Sequence, residues 1–174
     1  MKEIDKINAE SAELAERLVE MCVGRGLKIA SAESCTGGLI SARITSVSGS
    51  SAVIECGICS YSNRIKQEIL GVSEKTLESF SEYSAECAKE MAEGAVRVSS
   101  ADIAVSTTGV AGPSGGTEEH PVGEVYIGIC SDGSVSAKRF LFSGDRELIR
   151  AMTVLEALKQ LFHSVNDYNS HDKA

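Results

Sequence analysis

The sequence lacks any long apolar run, because no stretch approaches the roughly 20 consecutive apolar residues that span a lipid bilayer. Its first six residues, MKEIDK, also lack the hydrophobic centre of a secretory signal peptide. These two absences argue against a transmembrane protein and a secreted protein. We therefore expect a cytoplasmic location.

Positive charge is also scarce. The 174 residues include 17 Lys and Arg against 25 Asp and Glu, which gives a net charge of −8. An acidic chain is poorly suited to bind nucleic acid or anionic membranes, so we expect neither as a partner. An anionic small molecule remains possible, because a local turn can hold a phosphate against the overall charge.

Histidine and paired metal ligands are few. His163 and His171 lie near the end of the chain, so His120 is the one credible member of a Ser-His-Asp triad. Cys56 and Cys59 lie in a strand-like run, where residues three apart point to opposite faces. No second pair at matching spacing completes a zinc site, and in a cytosolic chain the six cysteines are expected to be reduced. We expect no metal.

The apolar patterns that are present predict an α/β fold: a single layered domain with a mixed β-sheet flanked by helices. Helices are predicted at 4–24, 36–45, 62–70, 84–98 and 148–162, and strands at 28–33, 53–61, 102–108, 122–130 and 134–142. The last two strands flank Ser131-Asp132-Gly133, a strong hairpin signal. The length suits one domain over residues 1–163, followed by a polar C-terminal tail at 164–174.

The stretch SAESCTGG places Ser34 between a predicted strand and a predicted helix. Such a turn can hold an anion on helix N-terminal N–H groups, present a nucleophile, or simply bend the chain, with Ser34 and Thr36 as helix caps. A nucleotide P-loop is excluded, because the Gly-x-x-x-x-Gly-Lys-Ser/Thr spacing is absent. Cys35 is a rival nucleophile.

A serine nucleophile needs a base, and the segment YSNRIK offers one. Tyr61 ends a predicted strand and Lys66 lies one turn into the next helix, so both side chains could reach the same strand-end crevice as Ser34. A buried lysine can act as a base when it is kept neutral. The alternative is a solvated helix lysine and an aromatic residue at the sheet edge.

Two further segments could bind a ligand. Residues 109–121 form a long glycine-rich loop whose backbone can approach a ligand closely. Arg146 and Arg150, one turn apart on the last helix, could hold a phosphate or pair with acidic side chains.

Together, SAESCTGG, YSNRIK, TTGVAGPSGGTEEHPVGEVYIG and FSGDRE resemble, in this order, the CinA C-terminal domain family, over residues 8–162. That family includes the nicotinamide mononucleotide deamidases known as PncC. The resemblance implies an amidase that releases ammonia from nicotinamide mononucleotide and leaves nicotinic acid mononucleotide. It implies no cofactor, and it implies a homo-oligomer.

The resemblance also implies the site. Ser34 is the expected nucleophile, with Tyr61 and Lys66 as its catalytic partners. The expected substrate-binding residues are Thr36, Gly37, Gly38, Thr108, Gly109, Gly112, Gly115, Gly116 and Arg146. Ser60 departs from the family pattern, in which Thr often precedes the tyrosine. Many members carry a further N-terminal domain that these residues do not include, so its pyrophosphatase chemistry is not expected here.

The mechanism we expect begins when neutral Lys66 removes the Ser34 proton, directly or through Tyr61. Helix N-terminal N–H groups around residues 35–37 would then stabilise the oxyanion, and water would hydrolyse the acyl-enzyme. Two non-catalytic alternatives remain at this stage: a nucleotide-binding module and a regulatory oligomer.

Overall fold

The computed structural model describes residues 2–168. The helices are α1 Glu3–Arg25, α2 Leu39–Thr45, α3 Asn63–Glu68, α4 Glu74–Phe80, α5 Ala85–Ser99 and α6 Arg146–Asp167. The strands are β1 Ile29–Glu33, β2 Ile54–Cys59, β3 Ile103–Gly109, β4 Glu124–Ser131 and β5 Ser134–Leu141.

These strands form one five-stranded sheet in the order β2-β1-β3-β4-β5. β1 runs parallel to β2 and to β3, whereas β4 and β5 add to the β3 side as an antiparallel hairpin. The predicted mixed α/β sheet is therefore confirmed. Since β1, β2 and β3 are parallel, the segments that follow them start from the same edge of the sheet.

Helices cover both faces of the sheet. On one face, α1, α2 and α6 pack with Ile29, Ile103 and Ile127 in the larger hydrophobic core. On the other face, α5 packs against small side chains such as Ala30 and Ala104. Both faces of β1 are buried, which explains why its sequence is a continuous run of small and apolar residues around one serine and one glutamate.

Close packing of α5 depends on glycine. A Cβ atom at Gly128 in β4 would lie 2.4 Å from the Ala88 carbonyl oxygen of α5 and 2.5 Å from the Ser106 hydroxyl. Neither the α5 backbone nor β3 can give way at such a distance. The glycine therefore sets the separation between helix and sheet on this face.

Three predicted boundaries differ from the structure. β2 spans Ile54–Cys59 instead of 53–61, and it alternates between half-buried and exposed residues because it lies at the sheet edge. α2 begins at Leu39, after Gly37 and Gly38 in the left-handed region. α6 continues to Asp167, so residues 164–167 of the predicted tail are helical, and the tail from 169 onwards lies outside the described residues.

Within residues 2–168, no helix is both long enough and apolar enough to cross a lipid bilayer.

Candidate active site

The segments that follow the three parallel strands enclose a cavity of about 250 Å³. Ser34 and Cys35 come directly after β1, Tyr61 and Lys66 come after β2, and residues 109–115 come at the end of β3. The predicted strand-end crevice therefore contains side chains that lie far apart in the sequence.

Ser34 and Lys66 are in direct contact in this cavity. The Lys66 Nζ atom lies 3.1 Å from the Ser34 Oγ atom, which is hydrogen-bonding distance. Ser34 is 7% exposed and Lys66 is 1% exposed. The solvated-lysine alternative is therefore wrong, because this side chain is buried and points at the serine.

Burial lowers the pKa of Lys66 from its ordinary value of 10.5, because the charged amine loses its hydration. The Cys87, Glu82 and Cys35 side chains act in the opposite direction. The Lys66 amine forms no salt bridge with any residue that the structure describes. A neutral amine beside a hydroxyl can accept its proton.

Tyr61 lines the same cavity, and its hydroxyl is hydrogen-bonded to an arginine. Its side chain is 63% exposed, and its hydroxyl accepts a hydrogen bond of 3.0 Å from Arg146 Nη2. Arg146 also donates to the Gly112 carbonyl oxygen at 2.7 Å. Tyr61 and Arg146 together form a side wall of the cavity, and the short contact to Ser34 belongs to Lys66.

The turn that carries Ser34 is organised by Glu33, which is fully buried. Its carboxylate accepts six hydrogen bonds of 2.8–3.1 Å from donors in and around the turn. These donors are the hydroxyls of Ser31, Thr36 and Ser41 and the backbone N–H groups of Gly38, Ile40 and Ser41. The carboxylate thus occupies the positive end of α2, as helix electrostatics favour.

This arrangement revises the expectation for residues 36–38. Gly38 N–H and the Thr36 hydroxyl donate to Glu33, and Gly37 N–H donates to the Ser34 carbonyl oxygen. None of these three residues lines the cavity. Thr36, Gly37 and Gly38 therefore shape the turn, whereas the predicted anion would have to be held elsewhere.

The glycine-rich loop divides in the same way. Gly109, Gly112 and Gly115 line the cavity, together with Val110, Ala111 and Ser114. Gly116 does not line it and packs against Val122 instead. Thr108 is fully buried outside the lining, and its hydroxyl donates to the Glu82 carbonyl oxygen at 2.6 Å.

The two arginines of α6 face different surroundings. Arg146, which follows the helix cap Asp145, lines the cavity. Arg150 donates to the carbonyl oxygens of Cys35 at 3.1 Å and Thr36 at 2.8 Å. Arg150 thus stabilises the backbone of the turn that carries Ser34. Arg146 is the arginine that an anionic ligand in the cavity could reach.

Cys35, the rival nucleophile, is 5% exposed. Burial raises the pKa of its thiol to about 12, so the thiol stays protonated near neutral pH. Lys66 makes its short contact with the neighbouring hydroxyl and not with this sulfur. The geometry and the protonation state both favour Ser34.

The remaining sequence candidates lie apart from this chemistry. All six cysteines are free, and among residues 2–168 no cluster of three or more His, Cys, Asp or Glu side chains could hold a metal ion. His120 contacts Ser81 and Glu124 and does not contact Ser34, so a triad with Ser34 is ruled out by position.

Sequence reasoning missed three residues of this region. Glu82 and Tyr83 line the cavity from the segment between α4 and α5, for which no motif gave a signal. Glu33 directly precedes the nucleophile, and helix electrostatics could have identified it, because an acid before a helix N-terminus attracts the free N–H groups.

Two comparisons of the sequence with known proteins point to the same family. The sequence profile of the CinA C-terminal domain matches residues 11–165. A protein of Caldicellulosiruptor saccharolyticus that carries the name competence-damage inducible protein is 50% identical over 155 residues, which cover 89% of this chain and 38% of that protein. A similarly named protein of Clostridium novyi is 45% identical over 85% of this chain and 36% of its own length. The chain thus spans less than two fifths of these relatives.

Solved structures agree with the sequence matches. A competence/damage inducible protein from Agrobacterium tumefaciens has a TM-score of 0.88 at 40% identity, covering 91% of this chain and 96% of that one. A CinA superfamily protein from Klebsiella pneumoniae has a TM-score of 0.87 at 32% identity, covering 91% and 99%. With the profile match over most of its length, this chain belongs to the CinA C-terminal domain family.

Proposed function

We propose that this domain is an amidohydrolase that deamidates nicotinamide mononucleotide, giving nicotinic acid mononucleotide and ammonia, and so serves the recycling of pyridine nucleotides. The observation that carries the hydrolytic part of the proposal is the 3.1 Å contact between buried Lys66 Nζ and Ser34 Oγ at the cavity. Family membership supports the choice of substrate. A binding module without turnover has no need of a nucleophile paired with a neutral amine.

The reaction begins with proton transfer from Ser34 to Lys66. Burial lowers the pKa of the lysine, and a neutral amine can take the hydroxyl proton as the oxygen attacks the amide carbon. The protonated lysine then gives this proton to the departing amine, and ammonia leaves. Water, deprotonated by the same lysine, hydrolyses the resulting ester and regenerates Ser34.

The oxyanion of the tetrahedral intermediate needs a donor close to Ser34. Glu33, the Ser34 carbonyl and the Thr107 carbonyl already accept from the N–H groups of Gly38, Gly37 and Ser34. Of the other two residues between 34 and 38, Cys35 lines the cavity and Thr36 does not, so the Cys35 N–H is our choice of main-chain donor. This assignment replaces the broader one expected from the sequence.

The phosphate of the nucleotide is assigned to Arg146 and the glycine-rich loop. Arg146 lines the cavity, and the glycines of the loop allow close approach of backbone N–H groups. Arg150 is engaged with the carbonyls of the nucleophile turn and is not given this role.

The test is ammonia release from nicotinamide mononucleotide by the purified protein, with Ser34→Ala as the matched variant. We expect release by the unmodified protein and a loss of at least about 100-fold in Ser34→Ala, with the folded state retained by circular dichroism. Binding of the nucleotide without ammonia release by the unmodified protein would instead identify a non-catalytic nucleotide-binding module. Release undiminished in Ser34→Ala would exclude the serine mechanism.

A further inference from the structure

Glu82 introduces a negative charge into a cavity whose other functional groups suit an anionic ligand. Glu82 lines the cavity with Ser34, Lys66 and Arg146. No lysine, arginine or histidine among residues 2–168 forms a salt bridge with it. An acid that faces a binding cavity without an ionic partner is available to a positive charge on a ligand.

Aromatic side chains accompany this acid. Tyr83 and Tyr61 both line the cavity. Burial raises the pKa of Tyr83, and the neighbouring Glu82 and Tyr61 side chains raise it further. Aromatic faces and a carboxylate are the groups that recognise organic cations in proteins. The Glu82 carboxylate also raises the pKa of Lys66, against the larger effect of burial, which places its charge near the reacting end of the cavity.

The backbone around Glu82 is held in place from two sides. The Thr108 hydroxyl donates to the Glu82 carbonyl oxygen at 2.6 Å. Ser81 Oγ lies 3.1 Å from His120 Nε2, and the other ring nitrogen of His120 lies 2.8 Å from the buried Glu124 carboxylate.

The Tyr83 ring adds to this support. It meets the His120 ring edge to face, with centroids 5.6 Å apart and an interplanar angle of 68°. With the contacts to Ser81 and Thr108, this fixes the segment on both sides of Glu82. The acid is thus presented by a supported segment and does not depend on a free loop.

The cavity is therefore lined by charges of both signs, Glu82 and Arg146 among them. We propose that Glu82 is a specificity-determining residue that selects a substrate whose amide-bearing ring carries a positive charge, while Arg146 receives its anionic group. This rests on the proposed function, in which the substrate is a pyridinium nucleotide with a cationic ring and a phosphate. An uncharged ring would gain no charge–charge attraction from the carboxylate.

The test separates ring charge from ring shape by measuring binding without turnover. The Ser34→Ala protein is titrated calorimetrically with nicotinamide mononucleotide and with benzamide riboside 5′-monophosphate, in which a neutral benzene replaces the pyridinium ring. Both titrations are repeated with Glu82→Gln added. Glu78→Gln, an exposed residue of α4 that does not line the cavity, gives the matched control for the same change of net charge.

We expect Glu82→Gln to weaken binding of the cationic nucleotide about tenfold and to change binding of the neutral analogue less than about twofold. Glu78→Gln should leave both affinities unchanged. Equal weakening of the two ligands, no weakening of either, or failure of both to bind would overturn the proposal.

The result is independent of catalysis. If the unmodified protein releases no ammonia but the two ligands still respond differently to Glu82→Gln, the proposed reaction is wrong and the selectivity stands. If ammonia is released but the two ligands respond alike, the reaction stands and the role of Glu82 is wrong.

Discussion

The two main-chain segments that form most of the cavity wall are built in opposite ways. The Ser34 turn surrounds a fully buried carboxylate, Glu33, that accepts six hydrogen bonds. The glycine-rich loop after β3 is largely exposed over residues 113–119 and is held at points such as the contact from Arg146 to the Gly112 carbonyl oxygen.

This difference indicates that the turn and the loop have separate roles, the first in catalysis and the second in binding. A nucleophile must be fixed relative to its base, because small displacements reduce the rate strongly. A binding loop must leave donors and space for the ligand. The turn uses its polar groups internally, whereas the loop leaves backbone facing the cavity. Changes in the turn should therefore act on catalysis and stability, and changes at the loop should act on binding.

The largest effect is expected where the turn meets its base. Lys66→Met should reduce kcat by about 1000-fold, because the Ser34 proton loses its acceptor. The same change should also raise the free energy of unfolding at neutral pH, because burial lowers the pKa of the Lys66 amine in the folded state. The gain arises because the unfolded chain binds a proton that the buried amine resists. It should shrink as pH rises towards 10.5, the ordinary lysine pKa.

Ammonia release and thermal unfolding between neutral and alkaline pH measure both effects. Lys89→Met, at a half-buried lysine of α5 that does not line the cavity, is the control for loss of a lysine charge. Retained activity in Lys66→Met would show that another group is the base.

Breaking the turn itself should be the next largest change. Glu33→Ala leaves six buried or half-buried donors without their acceptor and should destabilise the fold by about 3 kcal/mol or more. Glu33→Gln, which keeps the size but aims an amide donor at other donors, should also be destabilising. Denaturant unfolding measures both, and unchanged midpoints would contradict the organising role of Glu33.

The pH dependence of kcat/KM tests Lys66 as the base without replacing its side chain. The rate should fall about tenfold per pH unit below the lowered pKa of Lys66, because protonation removes the base. Glu82 raises that pKa, so Glu82→Gln should move this acid limb to lower pH. A limb that stays fixed in Glu82→Gln, or moves to higher pH, would contradict the assignment of the limb to Lys66.

On the loop side, Arg146→Met should raise KM for the nucleotide about tenfold with a smaller change in kcat. Arg150→Met, one turn away, removes the contacts to the Cys35 and Thr36 carbonyls and should lower kcat and stability more than it raises KM. Steady-state kinetics of the pair would show directly whether the turn and the loop have separate roles. The same pattern in both variants would refute that separation.

The smallest effect is expected from Cys35→Ala. Burial holds the pKa of the thiol at about 12, and its side chain takes no part in the proposed chemistry. We expect activity within about twofold of the unmodified protein and a modest loss of stability from the small cavity. A large drop in kcat without unfolding would reopen the choice of nucleophile.

Much of the fold could be predicted from the sequence, because the spacing of apolar residues and the residue types of turns are local signals. The hairpin at residues 131–133 and the order of the five strands and five of the helices follow from them, whereas α4 was not predicted. The proximity of Ser34 and Lys66 could also be predicted, because both residues follow strands that end at the same edge of the sheet. The homo-oligomer implied by the family resemblance stays a prediction.

What could not be predicted depends on tertiary contacts. Glu82 and Tyr83 belong to no motif and reach the cavity only because Thr108 and His120 hold their segment. The helix N-terminus looked free for an anion until the position of the Glu33 side chain was known. In both cases the deciding contact joins groups whose pairing no local pattern specifies.

In the proposed reaction Ser34, activated by Lys66, forms an ester with the substrate. The most direct test is intact-protein mass spectrometry after rapid acid quenching of a reaction with nicotinamide mononucleotide, followed by peptide mapping. We expect an adduct with the mass of the substrate less ammonia, located on Ser34, retained in Cys35→Ala and absent in Ser34→Ala. An adduct on Cys35, or an adduct that persists in Ser34→Ala, would contradict it.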